Sequence, residues 1–424
     1  MRTTRGRSEL TAAVVFDPAG FSPLAVADAA RGWCRLLWVV GWLPAPDPYQ
    51  RRLLSRLGKV VEVDGADVDM VAPGLAPHGV DGVIGFTDPA VRLATALADR
   101  LGCPANNPLT SAALTDKFLQ REMLASAAVP VPAFAVVPAS GDEPAALEAF
   151  PLPAVAKPRR GSDSRAATFL PDADALGRFL SSPRPEEFLV EAFLADRETP
   201  ADALGAPFVS VESLVQRGDV SHVGVTGRFP LASPVRDRGG YFPADLPAAE
   251  AQEVMELATA AARALGVTDG ALHTEIKLTP DGPRIIEVNG RVGGGVPGLV
   301  ARAGGPDMLA LALRVAVGRP MAIDATRAPK GVSFFWWVHG PGRLARVRDV
   351  RGLTELGDLP GVREVRLNLQ PGDLVDPARG GSGHVVAVEG ATGSHEELRR
   401  LLGRMEATVS IEWSADGALV AHVA

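Results

Sequence analysis

The residues best suited to chemistry lie close together in 271–298, ALHTEIKLTPDGPRIIEVNGRVGGGVPG. Two alternating runs, His273 to Leu278 and Arg284 to Asn289, flank Thr279-Pro280-Asp281-Gly282-Pro283, whose Pro and Asp-Gly content predicts a tight turn and hence a β-hairpin. Pairing symmetric about Asp281 sets Glu275 opposite Glu287 and His273 opposite Asn289. Side chains alternate along a strand and directly opposed residues share a face, so these four polar groups crowd one face. Ile276, Leu278, Ile286 and Val288 are left for the apolar face. Two facing carboxylates repel unless a cation separates them. Mg²⁺, which takes carboxylate and amide oxygens together with substrate phosphates, suits Glu275, Glu287 and Asn289. Taken alone, the stretch also fits a half-buried hairpin whose charged face is simply wet.

Lys157 closes the apolar run PAVAKP and is followed by RRGSDSR. A lysine at the mouth of a small, Gly-containing loop suits phosphate binding, because backbone N–H groups and the hydroxyls of Ser162 and Ser164 can approach an anion closely. Asp163 opposes a triphosphate unless it points away, and an ordinary β-turn reads the same. FLVEAFL predicts an extended segment with an embedded acid, Glu191, the type of element that can hold an adenine; a strand-end glutamate facing water fits equally. Lys117 falls in a helix predicted from Ser111 through Ala127, where a lone lysine is ordinarily a solvated surface residue. Glu212 lies on the first strand of a second hairpin, FVSVESLVQRGDVSHVGVTGRF, turned at Arg217-Gly218-Asp219.

The elements that must position these groups read as α/β and α+β, multidomain. At 424 residues the length suits about three domains, and 46% hydrophobic with 22% charged residues is the composition of an ordinary globular chain. A net charge of -7 argues against a general nucleic-acid partner. Two cysteines, Cys34 and Cys103, provide no disulfide framework and point to a reducing, cytoplasmic setting. Leu10 to Phe16 reads as a first strand rather than a signal peptide, and the apolar run near Trp38 is cut by Gly41 and Pro44, too short to span a membrane. Residues 1–112 alternate strand-like and helix-like segments, predicting a parallel α/β domain with ligand-facing loops at the strand ends. Residues 113–190 and 191–322 form two further units, the second bearing the acidic hairpin. Residues 323–424 predict a small α+β domain in which Trp336 and Trp337 are core and interface residues rather than a ligand cage.

Together, TDKFLQREML followed by VPVP, PAVAKPRRGSDSR, FLVEAFL with VSVESLV, and LHTEIK with GPRIIEVNGRVGGG resemble the ATP-grasp superfamily, and within it the amino-acid ligase (carboxylate-amine ligase) branch. The likeness covers roughly residues 105–320 and rests on the order and spacing of the pieces. It implies an ATP-grasp fold with an N-terminal parallel α/β domain. It further implies that Lys117 and Lys157 contact the ATP phosphates, that Glu191 with the backbone near Phe193 and Leu194 is the adenine hinge, and that Glu275, Glu287 and Asn289 hold two Mg²⁺ ions, with Mn²⁺ an alternative. Arg291 resembles the arginine that steadies the transferred phosphoryl group or acyl phosphate. Glu212 stands where the family's acidic run is broken by the Ala/Pro-rich 200–207, and would serve the ribose, the substrate or neither. The branch's usual E-x-G-H is replaced by Asp237-Arg238-Gly239-Gly240, so Asp237 stands for the acid while Gly240 replaces the histidine; His273 and Arg238 are the substitutes within reach.

The resemblance implies an ADP-forming ligase that joins a small-molecule carboxylate to an amine, one of them an amino acid, through an acyl phosphate. A homodimer is consistent with it. Alternatives left open are activation of a one-carbon acid such as formate or bicarbonate, a silent nucleotide-binding scaffold, and adenylation. The Lys157 loop and residues 233–245 are expected to exclude water. Gly293-Gly294-Gly295 has no side-chain wall and predicts a roomy substrate pocket.

Overall fold

The computed structural model describes residues 9–43, 46–139, 147, 149–161, 165–200, 202–232, 236–323, 328–376, 383–415 and 418–422. Its N-terminal part is a parallel sheet in the order Lys59–Glu62, Cys34–Val40, Leu10–Val15, Gly82–Gly85. Helices cover both faces, which is why its strands are nearly continuous apolar runs, as in Leu36 to Val40. The helix Asp88–Leu101 begins just past the last strand, with the Thr87 hydroxyl accepting from the Ala90 N–H. Asp88 therefore sits at the carboxyl end of the sheet, where parallel α/β folds gather ligand-facing loops.

A second, antiparallel sheet runs Phe134–Val137, Phe188–Ala192, Ala154–Pro158, Thr168–Leu170 and forms a lid layer carrying Lys157 and Glu191. The largest sheet has eight antiparallel strands in the order Gly282–Asn289, Asp269–Thr279, Phe208–Gln216, Asp219–Arg228, Gly239–Phe242, Val332–His339, His384–Thr392, Val362–Leu367. It passes through position 323 without a break, because Gly239–Phe242 pairs with Val332–His339. The C-terminal layer thus shares a hydrogen-bond ladder with the acidic hairpin. A four-stranded sheet of Leu374–Val375, Ala345–Arg351, Ser410–Ala415 and Ala418–His422 completes it. Trp336 is fully buried in this layer's core, whereas Trp337 is half-buried on the opposite face.

The hairpin has the expected register, Glu275 opposite Glu287 and His273 opposite Asn289. Beyond Glu275 a bulge adds one residue to the second strand, so Ile276 pairs with Ile285. Ile285, not Ile286, therefore turns to the core, and Ile286 is half-buried. Leu272, Ile276, Leu278, Ile285 and Val288 pack with Val209, Val211 and Val215 beneath the helix Ala248–Ala264. Each such burial stabilises by about 1.5–3 kcal/mol, which anchors the hairpin by its apolar face.

The helix expected over Ser111–Ala127 is instead two, Pro108–Ala113 and Lys117–Ser126. The Asp116 side chain accepts from the Leu119 N–H, starting the second helix and putting Lys117 at its first position. Gln120 exchanges two hydrogen bonds with the backbone of Val288, each 2.8 Å, and so covers the outer edge of the hairpin. Arg121, fully buried, donates to Glu191 Oε1 at 2.6 Å and to the Ile286 carbonyl. One helix therefore ties the large sheet to the lid. The loop expected after Arg291 also holds a short helix, Val296–Arg302.

Arg121→Met leaves Glu191 short of a buried partner and should destabilise the protein by roughly 3–5 kcal/mol. The check is a denaturant melt; a change within 1 kcal/mol or so would mean that the tie between lid and sheet is dispensable.

Candidate active site

Strand parity sends the polar residues of the large sheet to one face. From the outer edge inward this face carries Glu287 and Asn289, then His273 and Glu275, then Ser210 and Glu212, then Thr226 and Arg228, then Gly240, then Phe335 and Trp337. The odd-numbered Val209, Val211 and Val225 point the other way into the core. Alternation alone builds the row, once six strands are in register.

At the outer edge, Lys117 Nζ lies 2.8 Å from Glu287 and also donates to the Gly161 carbonyl of the lid loop. Burial opposes the charged ammonium, but Glu287 outweighs it and holds the Lys117 pKa above its ordinary value. Lys157 Nζ is 2.5 Å from Glu191 Oε2, so Glu191 is gripped between Lys157 and Arg121. Burial lowers the Lys157 pKa although Glu191 pulls against it; Glu191 itself, despite its burial, is held low by Arg121 and Lys157 and stays ionised. The same charges reach across the gap, since Lys117 feels Glu191 and Asp88, and Lys157 feels Glu287. Asp116 accepts from both Arg159 and Arg160, fastening the start of the phosphate-type loop to the base of the Lys117 helix. Ser162 and Ser164 lie outside the described residues. The Phe193 N–H donates to the Pro153 carbonyl at 2.9 Å and its ring meets Phe169 edge-on at 5.2 Å; Leu194 is half-buried beside it.

Further in, His273 Nδ1 donates to both oxygens of the fully buried Glu212 at 2.9 Å, and its Nε2 is 3.5 Å from Glu275. Glu212 also accepts from Ser210 at 2.9 Å and from Thr226 at 3.3 Å. Burial disfavours a charged ring, but the Glu212 carboxylate overrides it and raises the His273 pKa to about 9. Glu275, half-buried, faces that ring, which outweighs desolvation and holds its pKa down at about 2. Arg228 Nη2 comes within 3.1 Å of His273 Nε2, and its Nη1 donates to Asp237 at 3.0 Å. These two cations tolerate each other because three carboxylates surround them. Burial raises the Asp237 pKa, with Arg228 opposing. Asn289 Nδ2 donates to the His273 carbonyl at 3.4 Å, and Arg291 Nε donates to Asp88 Oδ1 at 2.8 Å, bringing the N-terminal sheet to the site.

The donors at the hairpin match what Mg²⁺ takes, two carboxylates and an amide oxygen, with the rest left to substrate phosphates. Among the described residues, no three His, Cys, Asp or Glu side chains converge on one point as a closed metal cage would require. The glycine run does not leave the expected space. A Cβ at Gly293 would stand 2.5 Å from His273 Nδ1, and one at Gly295, where φ is +74°, would stand 3.1 Å from the Phe335 ring; only Gly294 faces open room. The neighbours need closeness there, which is why glycine is present. A cavity of about 430 Å³ does exist, but it is bounded by Thr11, Cys34, Arg35, Gly58, Lys59 and His78 at the amino ends of the parallel strands, away from this chemistry.

Gln120, Arg121, Arg228 and Asp88 escape a motif reading. Arg121 is four residues beyond Lys117 on one helical face, a spacing that hints at shared surroundings. Arg228 shares strand parity with Thr226 and, through it, with Ser210.

An ATP-grasp domain matches residues 184–298, and L-amino acid ligase C-terminal domain 2 matches residues 338–414. The chain is 30% identical over 246 residues to D-alanine–D-alanine ligase of Mycobacterium bovis, covering 55% of this chain and 61% of that protein. It is 22% identical over 347 residues to the L-arginine-specific L-amino acid ligase of Bacillus subtilis, covering 79% of this chain and 81% of that one. The first curated relatives it matches are spanned over only 14–63% of their length. In fold it is similar to the crystal structure of the L-amino acid ligase from Bacillus licheniformis, with a TM-score of 0.74 at 20% identity, covering 97% of this chain and 100% of that one. Among the described residues no helix is long and apolar enough to cross a membrane.

His273 gains its partners on folding, so its pairing stabilises fully below about pH 6.5 and is lost as pH rises through about 9. In metal- and nucleotide-free protein, the stability advantage of wild type over His273→Gln should therefore shrink between these values. A difference constant from pH 6 to 10 in denaturant melts would remove the imidazolium from this site.

Proposed function

We propose, for a chain that carries an ATP-grasp domain followed by an L-amino acid ligase C-terminal domain, that it is an ADP-forming carboxylate-amine ligase acting on small molecules, one of them an amino acid. The observation that supports this most directly is the pairing of Lys117 with Glu287 and of Lys157 with Glu191 on facing layers. Two lysines held in place by acids, beside two further hairpin oxygens and Arg291, are what a triphosphate and its metal would engage. The C-terminal match favours an amino-acid ligase over activation of a one-carbon acid.

In this reading Glu275, Glu287 and Asn289 hold one or two Mg²⁺ ions, with Mn²⁺ able to use the same oxygens, and the metal supplies charge neutralisation at the phosphates. Lys117 and Lys157 bind the phosphates, Phe193 and Leu194 border the adenine, and the hydroxyls of Ser162 and Ser164 are further phosphate donors in the same proposal. An oxygen of the substrate carboxylate attacks the γ-phosphorus and the bond to the β-phosphate oxygen breaks, releasing ADP. Arg291 steadies the phosphoryl group during transfer, a step that depends on positioning and electrostatics rather than on a protein nucleophile. The amine then attacks the acyl carbon, the C–O bond to phosphate breaks, and the amine proton leaves with the phosphate. His273, as an imidazolium buttressed by Glu212, faces the place where carbonyl oxygen charge would develop, and Asp237 helps shape that subsite through Arg228. A boundary near residue 112, a homodimer and a cytoplasmic location belong to the same proposal, whereas the divisions expected at 190 and 322 fall inside the strand Phe188–Ala192 and the continuous large sheet.

Glu287→Gln removes one metal oxygen's charge and the partner of Lys117. It should abolish ADP formation in an assay with ATP, Mg²⁺ and pairs of carboxylic and amino acids, read together with product mass. Turnover within about a factor of two of wild type would remove Glu287 from the metal and phosphate chemistry.

A further inference from the structure

Arg291 leaves the acidic hairpin just beyond Asn289, with only Gly290 between them. A long, flexible side chain at such a place would sample many positions, and one residue from the N-terminal sheet removes that freedom. Arg291 Nε donates to Asp88 Oδ1 at 2.8 Å, and its Nη2 lies 3.5 Å from Asp88 Oδ2. This is a two-point contact along one edge of the guanidinium, which fixes the plane of the group as well as its place. The two side chains keep only 14% and 15% exposure.

Asp88 is itself held. It is the first residue of the helix Asp88–Leu101, where the unpaired backbone N–H groups favour a carboxylate. The preceding Thr87 donates its hydroxyl to Asp17 Oδ2 at 2.6 Å, and Asp17 Oδ1 accepts the Ala19 N–H at 2.9 Å. A chain of contacts therefore runs from the ends of two parallel strands, through Asp17, Thr87 and Asp88, to Arg291.

That chain is not what docks the N-terminal sheet on the rest of the protein. Phe16, Trp38 and Phe86 share one apolar core with Leu214, Val292, Val296 and Leu299. Asn106, also buried, makes three hydrogen bonds of 2.8–3.1 Å with the backbone of Thr268 and Asp269. With the seam secured there, the Asp88 contact is left to decide where Arg291 points. The charge of Arg291 is felt at Glu275 and that of Asp88 at Lys117, so the pair lies within reach of both the metal-type acid and the phosphate-type lysine.

We infer that Asp88 is a positioning residue for phosphoryl transfer, holding the Arg291 guanidinium in the orientation that meets the transferring group. The inference rests on the ligase reading above. A donor set in advance counts most where charge develops, so the loss of Asp88 acts on the transfer step more than on ATP binding.

The test uses the full chain with ATP and Mg²⁺. The proteinogenic amino acids are offered in all pairs, with propionate and 3-phenylpropionate as further carboxyl donors, and ADP release and product mass are followed. For the pair turned over fastest, Asp88→Asn should lower kcat by about tenfold or more and leave the KM for ATP within about threefold of wild type. Asp88→Glu, which keeps the carboxylate, should recover part of the loss. Asp88→Asn added to Arg291→Met should cost nothing further, because an absent guanidinium needs no positioning. Apart from turnover, ADP with Mg²⁺ should raise the melting temperature of wild type and Asp88→Asn equally. The additional rise with aluminium fluoride, a mimic of the transferring phosphoryl group, should shrink in the variant. If Asp88→Asn does not melt as a native protein, Asp88→Ser, suited to a helix start, takes its place in every comparison.

Any one of four results overturns the inference and leaves the ligase reading standing: a kcat within about twofold of wild type, a loss confined to KM, losses at Asp88 and Arg291 that multiply, or an aluminium fluoride response equal in both proteins. An Asp88→Glu protein no more active than Asp88→Asn also overturns it. No ADP with any pair removes the ligase reading, and this inference with it.

Discussion

A buried carboxylate must have a cation or a full set of hydrogen bonds, and this constraint organises the structure. Glu191 on the lid sheet and Glu212 on the large sheet are taken out of water, and each is answered by a side chain from another strand or another layer. The same pairings that hold the layers together leave a groove lined by preset charges. In the proposed ligase reading, a phosphate or metal would exchange partners with residues already placed, which lowers the reorganisation that charge transfer would otherwise require.

The helix Lys117–Ser126 is where stability and chemistry meet. Its first residue reaches Glu287, its fourth covers the hairpin edge at Val288, and its fifth joins Glu191 on the lid. The second is buried and holds the hairpin edge, the third is buried and fixes the lid's base, and the first is the more accessible. The acidic hairpin is thus clamped along its length, and its bulge lets Ile285 enter the core while Ile286 offers its carbonyl to Arg121.

Small residues here mark crowding rather than space. Gly293 and Gly295 admit the His273 ring and the Phe335 ring, and Gly240 admits the Gly227 carbonyl. The shape of this face is therefore set by the rings and carbonyls of neighbouring strands. Phe335 and Trp337, 4.8 Å apart, come from the C-terminal layer and complete the face beyond Gly240.

Local pattern determined much of this protein. The hairpin and its pairing of Glu275 with Glu287 and His273 with Asn289 were legible, although the turn closes at Pro280-Asp281 with Thr279 opposite Gly282, and only the bulge between Ile276 and Glu275 restores the expected register. The helix Asp88–Leu101 and the parallel N-terminal strands were legible too, in apolar periodicity and end signals. The break at Asp116 was not, since apolar spacing continues through it and only the side-chain cap ends one helix and begins another. The bulge at Ile286 was hidden because two adjacent isoleucines offer the core either choice. What tertiary structure alone decided is which charge meets which: Arg121 with Glu191, Arg291 with Asp88, Arg228 with Asp237 and His273. Most of those partners lie tens to hundreds of residues apart, and their pairing follows from strand order and burial, which no local window of the chain contains.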